Sequence, residues 1–132
     1  MARHAARRIA LQMIYARMMN GGDARQVLEG EPDAQNVGGD EEYITEALRV
    51  TGERGAAFDE TIRSLSPRRA LERIPVLNRA ILHLAMYELE AGNDAKGIVI
   101  NEAVELAKRF GEESDSKFIH AVLGKAADAK NP

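Results

Sequence analysis

Arg3, His4, Arg7, Arg8 and Tyr15 are the first residues whose types and spacing could do chemistry. At 100° per residue on a helix they share one sector, roughly 140° wide. Guanidinium groups meet phosphates with forked hydrogen bonds, and an aromatic ring can stack on an unpaired base. The same sector also reads as the solvated outer face of an amphipathic helix, and the residues alone favour that reading. Lys117 and Phe118 pair a cation with a ring just inside the start of a C-terminal helix. There a base can stack while lysine and free N–H groups meet phosphate. Phe118 can equally be core, because Val122 lies one turn on, and spacing alone favours the core. Arg68, Arg69 and Arg73 form a further basic cluster between two prolines and read as surface charge.

Catalysis finds little support. His4, His83 and His120 stand far apart without paired metal-ligand spacing, and the chain has no Cys, which excludes disulfides, thiolate catalysis and Cys-based zinc sites. His83 falls inside an apolar helix and reads as a hydrogen-bonded core or interface residue. Glu102 and Glu105 share a helix side, but no nucleophile accompanies them. There is no phosphate loop and no dinucleotide fingerprint. No enzyme, cofactor or metal is expected.

The elements that must position these groups are all helical. Ala6, Ile9, Ala10, Met13 and Ala16 share a face of a helix over 3–19, stopped by Asn20-Gly21-Gly22. Asp23 caps a short helix through Leu28, and 30–39 reads as a mobile connection. Asp40 opens a helix carrying Tyr43, Ile44, Ala47, Leu48 and Thr51. Gly52 and Gly55 break or kink it before Phe58, Ile62 and Leu65. Ser66-Pro67 and Pro75 read as helix starts, a proline at the first helical position in each case. Leu77, Ala80, Ile81, Leu84, Ala85 and Leu89 then make the most apolar helix, ended by Gly92-Asn93. Ile100, Ala103, Val104, Ala107 and Phe110 form the inner stripe of the next helix. Gly111 is expected to end it in a left-handed conformation, with Ser114 or Asp115 capping the last helix. That helix turns Phe118, Ile119, Val122, Leu123 and Ala126 inward. Nothing alternates with period two. The expectation is an all-α protein of about seven helices, with Ile81, Leu84, Val104, Ala107 and Val122 in its core.

At 132 residues the chain fits one domain, 1–132, which can bury roughly two-thirds of its unfolded surface. No apolar run approaches the ~20 residues of a membrane span, and the basic start makes a poor signal peptide, so a cytoplasmic protein is expected. The net charge of −3 conceals an asymmetry. Residues 1–20 hold Arg3, Arg7, Arg8 and Arg17 with no acid, whereas 21–60 hold eleven acids against Arg25, Arg49 and Arg54.

Val99 to Lys108, followed by Phe110-Gly111 and Lys117-Phe118, closely resembles the C-terminal signature of the NusB family of bacterial transcription antitermination factors. The likeness extends over nearly the whole chain. It takes in the Arg-rich start with Gln12-Met13-Ile14-Tyr15, Asn78-Arg79-Ala80-Ile81-Leu82 through Tyr87-Glu88-Leu89, and Ile119 to Val122-Leu123. The resemblance implies two small helical subdomains packed across each other. It also implies binding of boxA-type single-stranded RNA together with NusE, a ribosomal small-subunit protein, in a complex that modifies RNA polymerase during ribosomal RNA transcription. By position it assigns RNA contacts to Arg3, His4, Arg7, Arg8, Tyr15, Lys117 and Phe118, and the NusE surface to Asn78, Arg79 and His83. Some positions depart from the family pattern. Asn78 stands where an acid is common, and His83 where arginine is. Ser114-Asp115 alters a Glu-Asp-Ser order, and His120-Ala121 replaces Asn-Gly.

Three other readings compete. Some RNA methyltransferases carry a similar domain, but such an enzyme needs a further cofactor-binding domain, which this chain is not expected to have. A helical protein-interaction adapter without an RNA role would suit the acidic middle. A sequence-specific DNA reader would need a more basic recognition helix and dimer symmetry.

Overall fold

The computed structural model describes residues 3–20 and 40–129. The short helix expected over 23–28 and the connection over 30–39 lie outside them. Among the described residues six α-helices run in order: α1 Arg3–Asn20, α2 Glu41–Glu53, α3 Gly55–Leu65, α4 Val76–Ala91, α5 Lys96–Phe110 and α6 Glu113–Ala129. A 3₁₀ turn, Leu71–Arg73, precedes α4, and no strand occurs among the described residues.

α4 is the axis of the fold and packs against each of the other five helices. Its sequence explains why. Every residue from Ala80 to Leu89 is buried, so no side of the helix is left for water. Three buried polar residues nevertheless lie on it, Asn78, His83 and Glu88. They recur every five residues, a rotation of about 140° at each step. Each therefore points at a different neighbour and finds a hydrogen-bond partner there. Asn78 reaches α6 through Asp115, His83 reaches α3 through Asp59, and Glu88 reaches both α1, through Arg7, and α2, through Tyr43. A buried polar group left unpaired is costly, so these contacts fix the orientation of each helix around α4.

Most of the expected core is present. Ile81, Leu84, Ala107 and Val122 are buried, as are Ala6, Ile9, Ala10 and Met13 of α1 and Tyr43, Ile44, Ala47 and Thr51 of α2. α5 is rotated from its expected register. Val99, Ala103, Leu106 and Ala107 are buried, Ile100 and Val104 only half so, and Phe110 remains 39 % exposed. The helix packs on both α4 and α6, and of the two apolar rows that the sequence offers, the one with Val99 and Leu106 is the more deeply buried.

Two local expectations fail for identifiable reasons. Ser66-Pro67 opens no α-helix. The Ser66 hydroxyl donates to the Ile62 carbonyl at 2.7 Å and its N–H to the same oxygen at 3.0 Å, so Ser66 closes α3. Gly111 ends α5 in an extended conformation, φ −123° and ψ −155°, rather than a left-handed one. Its missing side chain matters for space, since a Cβ would sit 2.7 Å from Asp115 Oδ2 and 3.1 Å from the Ala107 carbonyl. Gly92 does take the left-handed conformation, φ 70°, and its N–H donates to the Glu88 carbonyl to finish α4. Pro75 stands immediately before α4, and α2 and α3 break at Arg54.

Candidate functional site

The basic start of α1 divides into a buried and an exposed part. Arg7 is 4 % exposed. Its Nε donates to both Glu88 carboxylate oxygens at 3.1 and 3.0 Å, and Nη2 donates to Glu88 Oε1 and to Asp94 Oδ2, each at 2.8 Å. Nη1 donates to Glu102 Oε1 at 3.2 Å. The Tyr43 hydroxyl completes the cluster by donating to Glu88 Oε2 at 2.9 Å. Burial alone would lower the Arg7 pKa, but the hydrogen bonds and charge of Glu88, aided by Tyr43 and Glu102, raise it, so the guanidinium stays charged. Burial, then the charge of Glu88, drives the Tyr43 pKa far upward, so the phenol stays protonated. Arg7 is thus the pin that joins α1 to α4, to Asp94 in the turn after it, and to α5.

Around this pin stand the outer groups. Arg3 lies 3.6 Å from both Asp40 and Asp94 and stacks over the Tyr43 ring at 4.7 Å. The His4 side chain is 67 % exposed, with Nδ1 2.7 Å from Glu102 Oε1. Arg8 is half-buried and, with His4, Glu102, Glu105, Leu106 and Arg109, lines a cleft of about 300 Å³ between α1 and α5. Tyr15 is exposed two turns further along α1, beside exposed Met19. Arg109, in the last turn of α5, is two residues from Gly111, so that turn runs from the α1 cleft towards the start of α6.

α6 begins with a carboxylate cap, supplied by Asp115 rather than Ser114. Asp115 Oδ2 accepts the Glu112 N–H at 2.8 Å, folding back as in half of a capping box, while Oδ1 accepts the Asn78 amide at 3.0 Å. The Asn78 bond, then that of Glu112, holds the Asp115 carboxyl below the usual carboxylate range. Lys117 is exposed just beyond the first turn of α6. Phe118 is half-buried against the core, and the Arg69 guanidinium lies over its ring at 4.6 Å. The ring therefore packs on the core on one side and under the Arg69 guanidinium on the other.

On the third candidate surface, Asn78 is 0 % exposed and contributes only through the α6 cap it holds. His83 is also buried. Its Nε2 lies 2.8 Å from Asp59 Oδ1, its ring meets Phe58 edge-on, and burial, the largest influence, lowers its pKa below the ordinary value. Arg79 reaches the surface and donates to Asp59 Oδ2 at 2.9 Å. One carboxylate, Asp59 of α3, thus orients both Arg79 and His83. Asp59, Glu88 and Asp94 were not singled out by the sequence, and Glu102 and Arg69 were read only as part of a carboxylate pair and of a surface basic cluster. Only Glu88 carried a signal, an acid inside the most apolar helix. No group of three potential ligands is placed to hold a metal ion among the described residues.

Comparison with known proteins decides the lineage. The NusB family model matches residues 4–128. The chain belongs to the NusB family. The transcription antitermination protein NusB of Pseudoalteromonas atlantica is 41 % identical over 129 residues, covering 95 % of this chain and 90 % of that one. Its counterpart in Proteus mirabilis is 40 % identical over 130 residues, covering 96 % and 93 %. Among solved structures, T. maritima NusB superposes with a TM-score of 0.80 at 26 % identity, covering all of this chain and 94 % of that one. The all-α NusB fold and a general role in transcription antitermination follow, and the family is one of regulators rather than enzymes. Among the described residues no helix is long and apolar enough to cross a membrane.

Proposed function

We propose that this NusB-family protein binds boxA-type single-stranded RNA in the cytoplasm together with NusE, and that the resulting complex acts on RNA polymerase during ribosomal RNA transcription. The observation that carries the reading is the pairing of basic side chains and rings, exposed or half-buried, at two places on a chain of net charge −3. Arg3, His4, Arg8 and Tyr15 form the first place, with Arg7 beneath them as their anchor. Lys117 and Phe118 form the second. Of the acids of 21–60, Asp40 lies 3.6 Å from Arg3, and those beyond a Debye length of ~8 Å are largely screened at physiological salt. NusE is assigned to the α4 surface at Arg79, oriented by Asp59, with Asn78 and His83 acting from beneath. In this reading α1 to α3 make one helical subdomain and α4 to α6 the other.

The test is a fluorescence-anisotropy titration of labelled boxA-type RNA with the protein alone and with NusE added. Binding is expected in both cases and tighter with NusE. No binding in either case would leave the adapter reading in its place.

A further inference from the structure

A second groove lies beside Phe118, on the side away from the core. It holds about 670 Å³ and is lined by Leu65, Ser66, Pro67, Arg68, Arg69, Phe118, Ala121, Val122 and Lys125. That volume lies within the range that takes a small organic ligand. Its floor is apolar, from Leu65, Pro67, Ala121 and Val122, and no carboxylate is among its walls. Arg68, Arg69 and Lys125 are all exposed, and among the described residues no acid lies within ion-pair distance of any of them. The charge of Arg69 is felt by Asp115, whose oxygens are held by Asn78 and the Glu112 N–H. Lys125 Nζ donates to the Leu65 carbonyl at 3.2 Å, which fixes the ammonium on the groove rim and leaves two N–H donors for a ligand.

Resting on the RNA-binding reading, we propose that this groove is a one-nucleotide subsite, in which a base stacks on the Arg69–Phe118 pair and Arg68 and Lys125 hold the flanking phosphates. Charge complementarity selects the occupant: an apolar slot of nucleotide size, rimmed only by cations, suits a polyanion with flat apolar faces. The planar Arg69 guanidinium already lies over Phe118 at 4.6 Å, and a guanidinium plane stacks on a base as an aromatic ring does. Arg69 thus extends the platform outward and loses no contact when the base arrives. This makes the basic cluster over 68–73 part of the RNA path rather than surface charge alone.

The experiment combines protein variants with abasic RNA. Labelled boxA-type RNA, intact or with one base removed at successive positions, is titrated with the full chain and with Arg69→Gln, Phe118→Leu and Arg68→Gln/Lys125→Gln. Arg69 is exposed and makes no backbone bond through its side chain, so unchanged thermal unfolding of Arg69→Gln serves as the folding control. The expected result is one abasic position that costs the wild type roughly tenfold. Arg69→Gln and Phe118→Leu should lose a similar factor on intact RNA and be indifferent to that abasic position. The Arg68/Lys125 variant should instead flatten the salt dependence. If the wild type binds RNA while Arg69→Gln binds it equally well or more tightly, Arg69 merely covers the ring and the proposal fails. If a polyglutamate peptide binds in an Arg69-dependent way while RNA binding ignores Arg69, the groove docks an acidic protein instead and the proposal also fails. If the wild type binds no RNA at all, the functional reading falls first and this subsite with it.

Discussion

Replacing Glu88 by leucine should destabilise the protein by about 3 kcal/mol, near the lower end of the range for breaking a buried ion pair. The side chains of Arg7 and Glu88 are 5 % and 8 % exposed, so water replaces little of what is lost. Asp94 and Glu102 remain on Nη2 and Nη1, which is why the cost stays at the lower end. Arg7→Met should cost a similar amount, since it leaves the Glu88 carboxylate buried with only the Tyr43 hydroxyl. The double variant should cost clearly less than the sum, about 1–3 kcal/mol. By then no buried charge is left unpaired at the pin, and the remaining penalty is chiefly the Tyr43 hydroxyl without an acceptor. A coupling energy of about 3 kcal/mol or more is therefore expected from the cycle. Urea unfolding followed by far-ultraviolet circular dichroism measures all four proteins. Each single variant should also melt roughly 10 °C lower. Single changes costing less than about 1 kcal/mol, or a double variant equal to the sum, would refute the view of Arg7 as the buried pin of α1.

Three further outcomes follow from the packing and the charges. Leu84→Ala should cost about 2–5 kcal/mol in the same unfolding assay, because the side chain is buried on the central helix. His83 has a folded pKa below its unfolded value, so the unfolded state binds more protons as pH falls below about 6.5, and stability should decline there. Thermal unfolding between pH 7.5 and pH 5.5 should show the decline in the wild type and a flatter profile in His83→Gln. Arg79→Gln should weaken co-purification with NusE while lowering thermal stability little. Glutamine is the informative replacement, since a glutamate at 79 would face Asp59.

The parts of the fold legible in the sequence were those set by local periodicity. The inner faces of α1, α2, α4 and α6 follow from apolar spacing, and Gly92 stops α4 as its residue type suggests. α5 was misread because it has two apolar rows, Ile100/Val104 and Val99/Leu106, and only the positions of α4 and α6 choose between them. Ser66-Pro67 shows a local signal overridden by a bond back to Ile62. At the candidate site, the cations were legible but their division of labour was not. Arg7 and Arg8 are adjacent in sequence and share the basic sector, yet Arg7 is buried on acids 81, 87 and 95 residues away. Likewise, the Asp59 that orients Arg79 and His83 comes from another helix. The five-residue spacing of Asn78, His83 and Glu88 was visible all along. It marks α4 as a helix with partners on every side, though it does not say which.

The account rests centrally on RNA contact by the half-buried arginines Arg3 and Arg8 of α1, and the salt dependence of RNA binding tests it most directly. Affinity for boxA-type RNA should be measured across a series of salt concentrations for the wild type and for Arg3→Gln/Arg8→Gln, which leaves the Arg7 pin intact. If each arginine meets one phosphate, the log–log slope of the variant should be shallower by about 1.4, with weaker binding at every salt concentration. An unchanged affinity and slope in the variant would contradict the account, and would leave the basic start of α1 as a solvated helix surface around a buried ion cluster.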